Sequence, residues 1–280
     1  MTDLSENMGA ADEKQAHLEA ILCGLGRVVV AYSGGVDSSY LLAAAVDALG
    51  SDNVLAVTVA SELTPEREVA MAQEMAARLG ARHQLLSLQA LAVPDIAANP
   101  PDRCYFCKRE VLRRIAAIAA EQGFVHLVHG ANRDDQGDYR PGTRAAAELG
   151  ARAPLEEADL TKAEIRELSR RRGLSTWDRP SQACLASRVP YHTPLTAEAL
   201  RRIQAAEDYL HDSLGLQALR VRDHFPVARI EVPPADWPLL LADETRSALV
   251  AELRCLGYRY VALDLAGLRS GSMNDLLGKG

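Results

Sequence analysis

Apolar positions fall in short runs that alternate with longer, helix-periodic stretches. Residues 27–32, RVVVAY, form a β-branched run that breaks at SGGVDSS and continues as YLLAAAVDALG. This reads as a strand, a glycine turn and a helix closed by Gly50. VLAVTV at 54–59 gives a second buried strand. Thr64 has the place of an N-cap, with Pro65 as the first residue of a helix reaching about Leu79. RHQLLSL at 82–88 and VHLVHG at 125–130 give a third and a fourth strand, with a helix from Cys104 to Glu121 between them. Strands alternating with helices predict an α/β fold whose parallel sheet is covered on both faces.

Further along, Thr161-Lys162-Ala163-Glu164 has capping-box spacing ahead of the helix IRELSRRRG. The rhythm changes after about residue 191. Thr196 opens a helix through Leu210, strands follow near 217–222 and 228–232, and a helix near 243–256 precedes a strand at 258–264. That order predicts a smaller C-terminal α+β domain, with the boundary at 190–196. The expected division is a helical or flexible segment 1–20, an α/β domain 21–192, and a substrate or oligomerisation domain 193–280.

The chain has 280 residues, 48% hydrophobic and 25% charged, with a formal net charge of −7. That is globular composition, and the acidic balance argues against broad electrostatic binding of nucleic acid. No apolar run is long enough to span a bilayer. The first twenty residues are acidic and polar, without the cationic start and apolar middle of a secretory signal, so a cytoplasmic location is expected.

Ser33-Gly34-Gly35-Val36-Asp37-Ser38 carries the strongest chemistry. Two glycines between a strand and a helix let backbone amides approach an anion, and the helix N-terminus favours negative charge. Ser33 and Ser38 add hydroxyl donors. The string lacks the GK[ST] ending of a Walker A loop, so it does not predict that phosphate grip. Asp37 beside phosphate calls for a cation, which points to Mg²⁺. Five cysteines, an odd number, do not suggest a disulfide framework. Cys104-Tyr105-Phe106-Cys107 is open to reading as a redox pair, half a zinc site or two buried thiols. With Cys184 added, three thiolates could hold a [4Fe–4S] cluster with one open iron. Alternatively Cys184 alone is the nucleophile, with Arg179 and Arg188 flanking it and favouring the thiolate. Cys23 and Cys255 read as buried packing residues.

SGGVDS after an apolar strand resembles the hallmark of the PP-loop ATP pyrophosphatase superfamily, also described as adenine nucleotide alpha hydrolase-like. The resemblance implies cleavage of ATP between the α- and β-phosphates and adenylation of a substrate oxygen. It implies adenine near Thr58 to Ser61, and Gly130-Ala131-Asn132 near the nucleotide. The strings NPPDRCYFCK, GANRDDQGDYRPG, ADLTKAEIRELSRRRGL, WDRPSQACLASRVPY, ARIEV and LRSGSMN resemble those of the LarE family. Those are ATP-dependent sulfur transferases of nickel-pincer nucleotide synthesis, and the match spans roughly residues 20–275. The resemblance implies that carboxylates of pyridinium-3,5-biscarboxylic acid mononucleotide, a small molecule, are adenylated and converted to thiocarboxylates by a homo-oligomer. It implies ATP-binding residues Ser33, Gly34, Gly35, Asp37, Ser38, Thr58 and Gly130, and catalytic Cys184. Sulfur comes either from Cys184, leaving dehydroalanine, or from sulfide on a cluster held by Cys104, Cys107 and Cys184; the presence of the CxxC pair favours the cluster.

Arg220 and Arg222 alternate onto one strand face, where two guanidiniums suit a substrate phosphate. The family match adds Glu231, and Arg188 joins them as a substrate-binding candidate. The plain alternative is a solvated, salt-bridged face. Asp134, Asp138 and Arg140 follow the fourth strand and are candidates for the nucleotide or metal shell. His126 and His129 read as structural, and Trp177 suits either the core or the surroundings of Cys184. A PP-loop tRNA-thiolating enzyme is a competing reading, but residues 196–280 hold ten Lys or Arg against twelve Asp or Glu, with no basic excess. An ammonia-using synthetase would not need the cysteine set. A non-catalytic nucleotide-binding module would release no pyrophosphate.

Overall fold

The structure, a computed structural model, describes residues 2–136, 141–180 and 183–269. Its elements in chain order are α1 Thr2–Leu25, β1 Val28–Ala31, α2 Val36–Leu49, β2 Val54–Ser61, α3 Glu66–Arg78, β3 Arg82–Leu88, α4 Pro94–Ala97, α5 Arg103–Glu121, β4 His126–His129, α6 Pro141–Glu148, α7 Pro154–Glu157, α8 Lys162–Arg171, α9 Ala197–Leu214, β5 Arg220–His224, β6 Val227–Glu231, α10 Trp237–Leu241, α11 Asp243–Cys255 and β7 Tyr260–Leu263. The chain forms two compact units. One combines Met1–Gln89 with Asp102–Ser181, and the other combines Ala90–Pro101 with Gln182–Gly280.

The larger unit is α/β. Its strands run in the order β3-β2-β1-β4, and every pairing is parallel. Alternation along the strands divides the core. Val28, Val30, Val54, Ala56 and Val128 pack with Leu18 and Leu22 of α1 and Leu41 of α2. Val29, Leu55, Val57 and Leu127 pack with Leu112 and Ile115 of α5. Covering both faces removes any need for polar positions, which is why β1 and β2 read as largely apolar runs, while the edge strand β3 keeps Arg82, His83, Gln84 and Ser87. The register aligns Ala31 with Val57 on one side and with His129 on the other. The turns after β1, β2 and β4 therefore leave the sheet at its carboxyl edge. There the strand order reverses between β2 and β4 around β1, the position where open α/β sheets bind ligands.

The smaller unit is α+β. β5 and β6 form an antiparallel hairpin, with Arg220 opposite Glu231 and Arg222 opposite Arg229, and β7 adds parallel to β6. Leu210 of α9, Val221, Ile230, and Leu249 and Leu253 of α11 make its core. Thr196 caps α9, accepting from the Ala199 N–H at 3.1 Å, and Gly215 ends that helix in the left-handed region. The separate strip Ala90–Pro101 is stitched to residues 190–195. The Asn99 amide donates to the Pro190 and Thr193 carbonyls at 2.8 and 3.0 Å, and the Leu195 N–H donates to the Ala97 carbonyl at 2.8 Å. Among the described residues, no helix is long and apolar enough to cross a membrane.

Some expectations need correction. α3 begins at Glu66 with Pro65 at its cap position. The Thr64 hydroxyl turns instead to the Ser61 hydroxyl at 3.1 Å and the Val59 carbonyl at 3.4 Å. Cys23 and Cys255 are exposed, not buried. Each sits off the stripe its helix buries: Leu22 and Leu25 face inward on α1, Leu249 and Leu253 on α11. Asp138 and Arg140 lie outside the described residues, as do parts of the motif strings around 137–140, 181–182 and 270–274.

Candidate functional site

The turn after β1 is built from its own hydroxyls. The Ser33 hydroxyl lies 3.0 Å from that of Ser38 and accepts the Gly35 N–H at 3.4 Å, while the Ser38 hydroxyl donates to the Gly35 carbonyl at 3.2 Å. Gly34 has φ +76°, and a Cβ there would stand 2.8 Å from the Ala72 Cβ, so glycine is required on both counts. Gly130, at the end of β4, lies so close to α2 that a Cβ would meet the Ser38 backbone nitrogen at 2.9 Å. No side chain caps the N-terminus of α2. Its first amides are thus available to an anion, in the geometry that favours phosphate.

Asp37, in the first turn of α2, is partly buried. One carboxylate oxygen pairs with the Lys162 ammonium. The other, Oδ1, is buried and has no hydrogen-bond partner among the described residues. Burial pushes the carboxyl above its usual range, against the opposing pull of Lys162. An acceptor with no donor facing it suits a hard cation, and Mg²⁺ commonly takes one or two carboxylates along with phosphate oxygens and water. The residues present therefore fit that ion. Lys162 is delivered by the first turn of α8. Its backbone N–H donates to Asp134 at 2.8 Å, and the Thr161–Glu164 capping box fixes the turn. Lys14 of α1 holds Glu164 in turn at 3.0 Å.

Beside the loop a cleft of about 190 Å³ is lined by Ala31, Ser33, Thr58, Thr64, Glu68 and Lys108, among others. Thr58 is buried, and its hydroxyl lies 2.9 Å from His83 Nε2. Desolvation holds His83 below its ordinary pKa, which keeps the ring neutral. Desolvation also lowers Lys108, one residue beyond the CxxC pair. Glu68 is gripped by Arg179 Nη2 at 2.8 and 2.9 Å. His129 is buried and neutral, and Trp177 is 39% exposed, outside any core. Lys162, Lys108, Glu68 and His83 escaped the sequence reading, and Arg179, singled out there only as a neighbour of Cys184, is bound to Glu68. The signals at hand were the capping box before Lys162 and the position of Lys108 directly after the second cysteine.

Cys104 and Cys107 lie one helical turn apart at the start of α5, the first exposed and the second half-buried. Cys184, half-buried, precedes the short 3₁₀ turn Leu185–Arg188 in the smaller unit. Among the described residues, no three His, Cys, Asp or Glu side chains gather as a metal site. The CxxC pair offers the soft donors an iron–sulfur cluster uses.

The arginines of the smaller unit differ from the expected open pair. Arg222 is buried. It forms a fork-to-fork pair with Glu231, both bonds at 2.9 Å, and donates to the Ser187 carbonyl at 2.5 Å. Glu231 is fully buried, so this pair is neither solvated nor open. Arg188 is buried against Glu207, with bonds of 2.8 and 3.0 Å. Arg220 is half-buried and donates to the Arg269 carbonyl at 2.9 Å; burial and the neighbouring Arg222 and Arg188 lower its pKa. Arg229 also pairs with Glu231 at 3.2 Å and with Asp264 at 2.6 Å, so four guanidiniums meet three carboxylates, Glu207, Glu231 and Asp264, and Arg220 is the one with no carboxylate of its own among the pairs described.

Comparisons place this geometry in a family. The NAD synthase family model matches residues 17–97. The chain is 43% identical, over 97% of its length and 98% of the other's, to the pyridinium-3,5-bisthiocarboxylic acid mononucleotide synthase of Lactiplantibacillus plantarum. It belongs to the LarE family. An uncharacterized protein of Synechocystis is 41% identical over 96% of this chain and 99% of its own. A glutamine-dependent NAD(+) synthetase of Xylella fastidiosa is 31% identical over 67% of this chain but only 34% of its own. The LarE-family chain is therefore an enzyme with an ATP-using PP-loop domain, followed by a smaller α+β unit.

Proposed function

We propose that this enzyme adenylates the carboxylates of pyridinium-3,5-biscarboxylic acid mononucleotide and converts them to thiocarboxylates, as a step toward a nickel-pincer nucleotide. The observation that carries the reading is the end-to-end match to a synthase named for the bisthiocarboxylate product. The Ser33–Ser38 cradle supports the first half of the chemistry.

A carboxylate resists nucleophiles because its charge repels them and oxide is a poor leaving group. In the first step the carboxylate oxygen attacks the α-phosphorus of ATP, the α–β bridge breaks, and pyrophosphate leaves. The amides of Gly35 to Ser38 and the hydroxyls of Ser33 and Ser38 hold the phosphates, Thr58 lies toward the base, and Gly130 keeps β4 against the cradle. Asp37 would hold Mg²⁺, which when bound neutralises phosphate charge. Lys162, now paired with Asp37, is within reach of the same phosphates. Arg220 carries the substrate phosphate, with the Arg222–Glu231 pair beside it.

In the second step the Cys184 thiolate attacks the acyl carbon and AMP leaves, giving a thioester. Loss of the Cys184 Cα proton to a base and cleavage of its Cβ–S bond then release the thiocarboxylate and leave dehydroalanine. Two such exchanges, each using the Cys184 of a fresh protein molecule, give the bisthiocarboxylate. Cys104, Cys107 and Cys184 are the residues that would hold a [4Fe–4S] cluster, which when bound supplies a terminal sulfide and spares the protein's own sulfur.

The test is incubation with ATP, Mg²⁺ and the biscarboxylate mononucleotide, with mass spectrometry of product and intact protein. Substrate-dependent AMP and pyrophosphate, with sulfur replacing oxygen in the product, are expected. ATP turnover that ignores this substrate would overturn the reading. Protein that has lost the elements of H₂S identifies Cys184 as the donor. An unchanged protein mass, with iron bound after anaerobic reconstitution and lost in Cys104→Ser, identifies the cluster.

A further inference from the structure

The loop that carries Cys184 is held by its carbonyl groups. The Arg188 Nη1 group donates to the Ala183 carbonyl at 2.7 Å, to the Cys184 carbonyl at 3.3 Å and to the Ser187 hydroxyl at 2.9 Å. The Ser187 N–H adds a bond to the Cys184 carbonyl at 2.9 Å. Fixing the peptide planes on both sides of the Cys184 α-carbon fixes the direction in which the thiol leaves the backbone.

The guanidinium doing this is 2% exposed, and its remaining nitrogens are taken by Glu207, with Nε 2.8 Å from Oε1 and Nη2 3.0 Å from Oε2. A planar fork met by a planar carboxylate is fixed in its plane as well as in distance. Glu207 is itself anchored. It projects from the middle of α9 into the core of the unit, and its Oε1 accepts the Val221 N–H of β5 at 2.9 Å. A second clamp of the same design lies alongside, where Arg222, locked by Glu231, takes the Ser187 carbonyl. With all three nitrogens engaged inside the protein, Arg188 presents nothing to a substrate.

We infer that Glu207 is a positioning residue for sulfur transfer, acting through the Arg188 guanidinium to aim the Cys184 thiol. Neither the fork nor the carboxylate touches the reacting atoms; each holds the backbone from which the nucleophile projects. The inference rests on the sulfur-transfer reading above for its kinetic consequence, but the geometry is independent of it. Losing the aim lowers the rate of the sulfur step while leaving substrate affinity and the ATP half-reaction in place.

The experiment compares wild type with Glu207→Gln, which keeps the shape of the acid and removes its charge, and Arg188→Lys, which keeps the cation and removes the fork. Thiocarboxylate formation should lose kcat on the order of 10- to 100-fold, with KM for the substrate within about twofold. In parallel, iodoacetamide labelling is followed peptide by peptide, with exposed Cys23 and Cys255 as internal references. Labelling of Cys184 relative to those thiols should change in both variants. A raised KM with unchanged kcat would make Arg188 a substrate contact and overturn the inference, as would an unaltered Cys184 labelling ratio. If wild type forms no thiocarboxylate, the sulfur-transfer reading fails while the labelling ratio still decides the positioning role. Should Glu207→Gln fail to fold, Arg188→Lys carries both measurements, because it keeps the buried charge pair.

Discussion

Gly130 shows how a single missing methyl group shapes the site. A Cβ there would press on backbone atoms of Ser38 and Asp37, at 2.9 to 3.2 Å, and backbone cannot swing aside as a long side chain can. Gly130→Ala should cost about 1–3 kcal/mol as β4 and α2 are forced apart, and should weaken ATP binding more than it weakens folding. Isothermal titration with ATP beside urea unfolding checks both. One residue earlier, desolvation and the charge of Lys108 lower His129 from 6.5 to about 4. A depressed folded pKa means that the neutral ring supports the fold fully above pH 6.5, and that this support is lost as pH falls from there toward 4. The loss amounts to about 3 kcal/mol. His129→Leu should therefore flatten the acid limb of the stability curve between those values, measured by urea midpoints at pH 7 and 4.5. The turn of serines, glycines and aspartate between β1 and α2 was legible because two glycines break an apolar strand from a helix. Lys162 was not, since its partner Asp37 is 125 residues away and no local pattern joins them.

Among the elements, the strands were the easiest to read. The runs at 54–59, 82–88 and 125–130 match β2, β3 and β4 give or take a residue or two; β2 was plain because a strand buried on both faces tolerates few polar positions, whereas β3, an edge strand with only Leu88 buried, showed chiefly through Leu85, Leu86 and Leu88. The capping box of α8 was equally plain, since both of its bonds are local in sequence. The start of α3 was misread because propensity places a hydroxyl before proline at a cap, whereas the end of β2 drew the Thr64 hydroxyl back to Ser61 and Val59. The helices α4, α6, α7 and α10 were not marked out from sequence at all; each has eight residues or fewer, too short to display a period. The box has a measurable role. Thr161→Ala removes the acceptor for the Glu164 N–H and should cost about 1 kcal/mol. Because the same turn presents Lys162 to Asp37, the substitution should also raise KM for ATP, whereas loss of a remote cap would shift only the melting temperature. Thermal melts and ATP-dependent pyrophosphate release separate the two.

Taken whole, the molecule assigns its two proposed half-reactions to different units, with the ATP cradle in the larger and Cys184 in the smaller. Cys184→Ala should accordingly abolish thiocarboxylate formation and leave substrate-dependent pyrophosphate release in the adenylation step within about twofold of wild type. Undiminished product in that variant would refute the assignment of the nucleophile. Cys184 and its flanking arginines stood out in the sequence, but not what those arginines hold, because Arg179 pairs with Glu68 and Arg188 with Glu207, and nothing local in sequence names either partner. The smaller unit is also assembled from two stretches of chain, with Ala97 and Asn99 sewn to residues 190–195. A gene rearrangement that carried off only the distal third of the coding sequence would leave half of those stitches behind. This module is therefore poorly suited to spread as a detachable cassette, and the lineage is expected to have kept its two parts in a single reading frame.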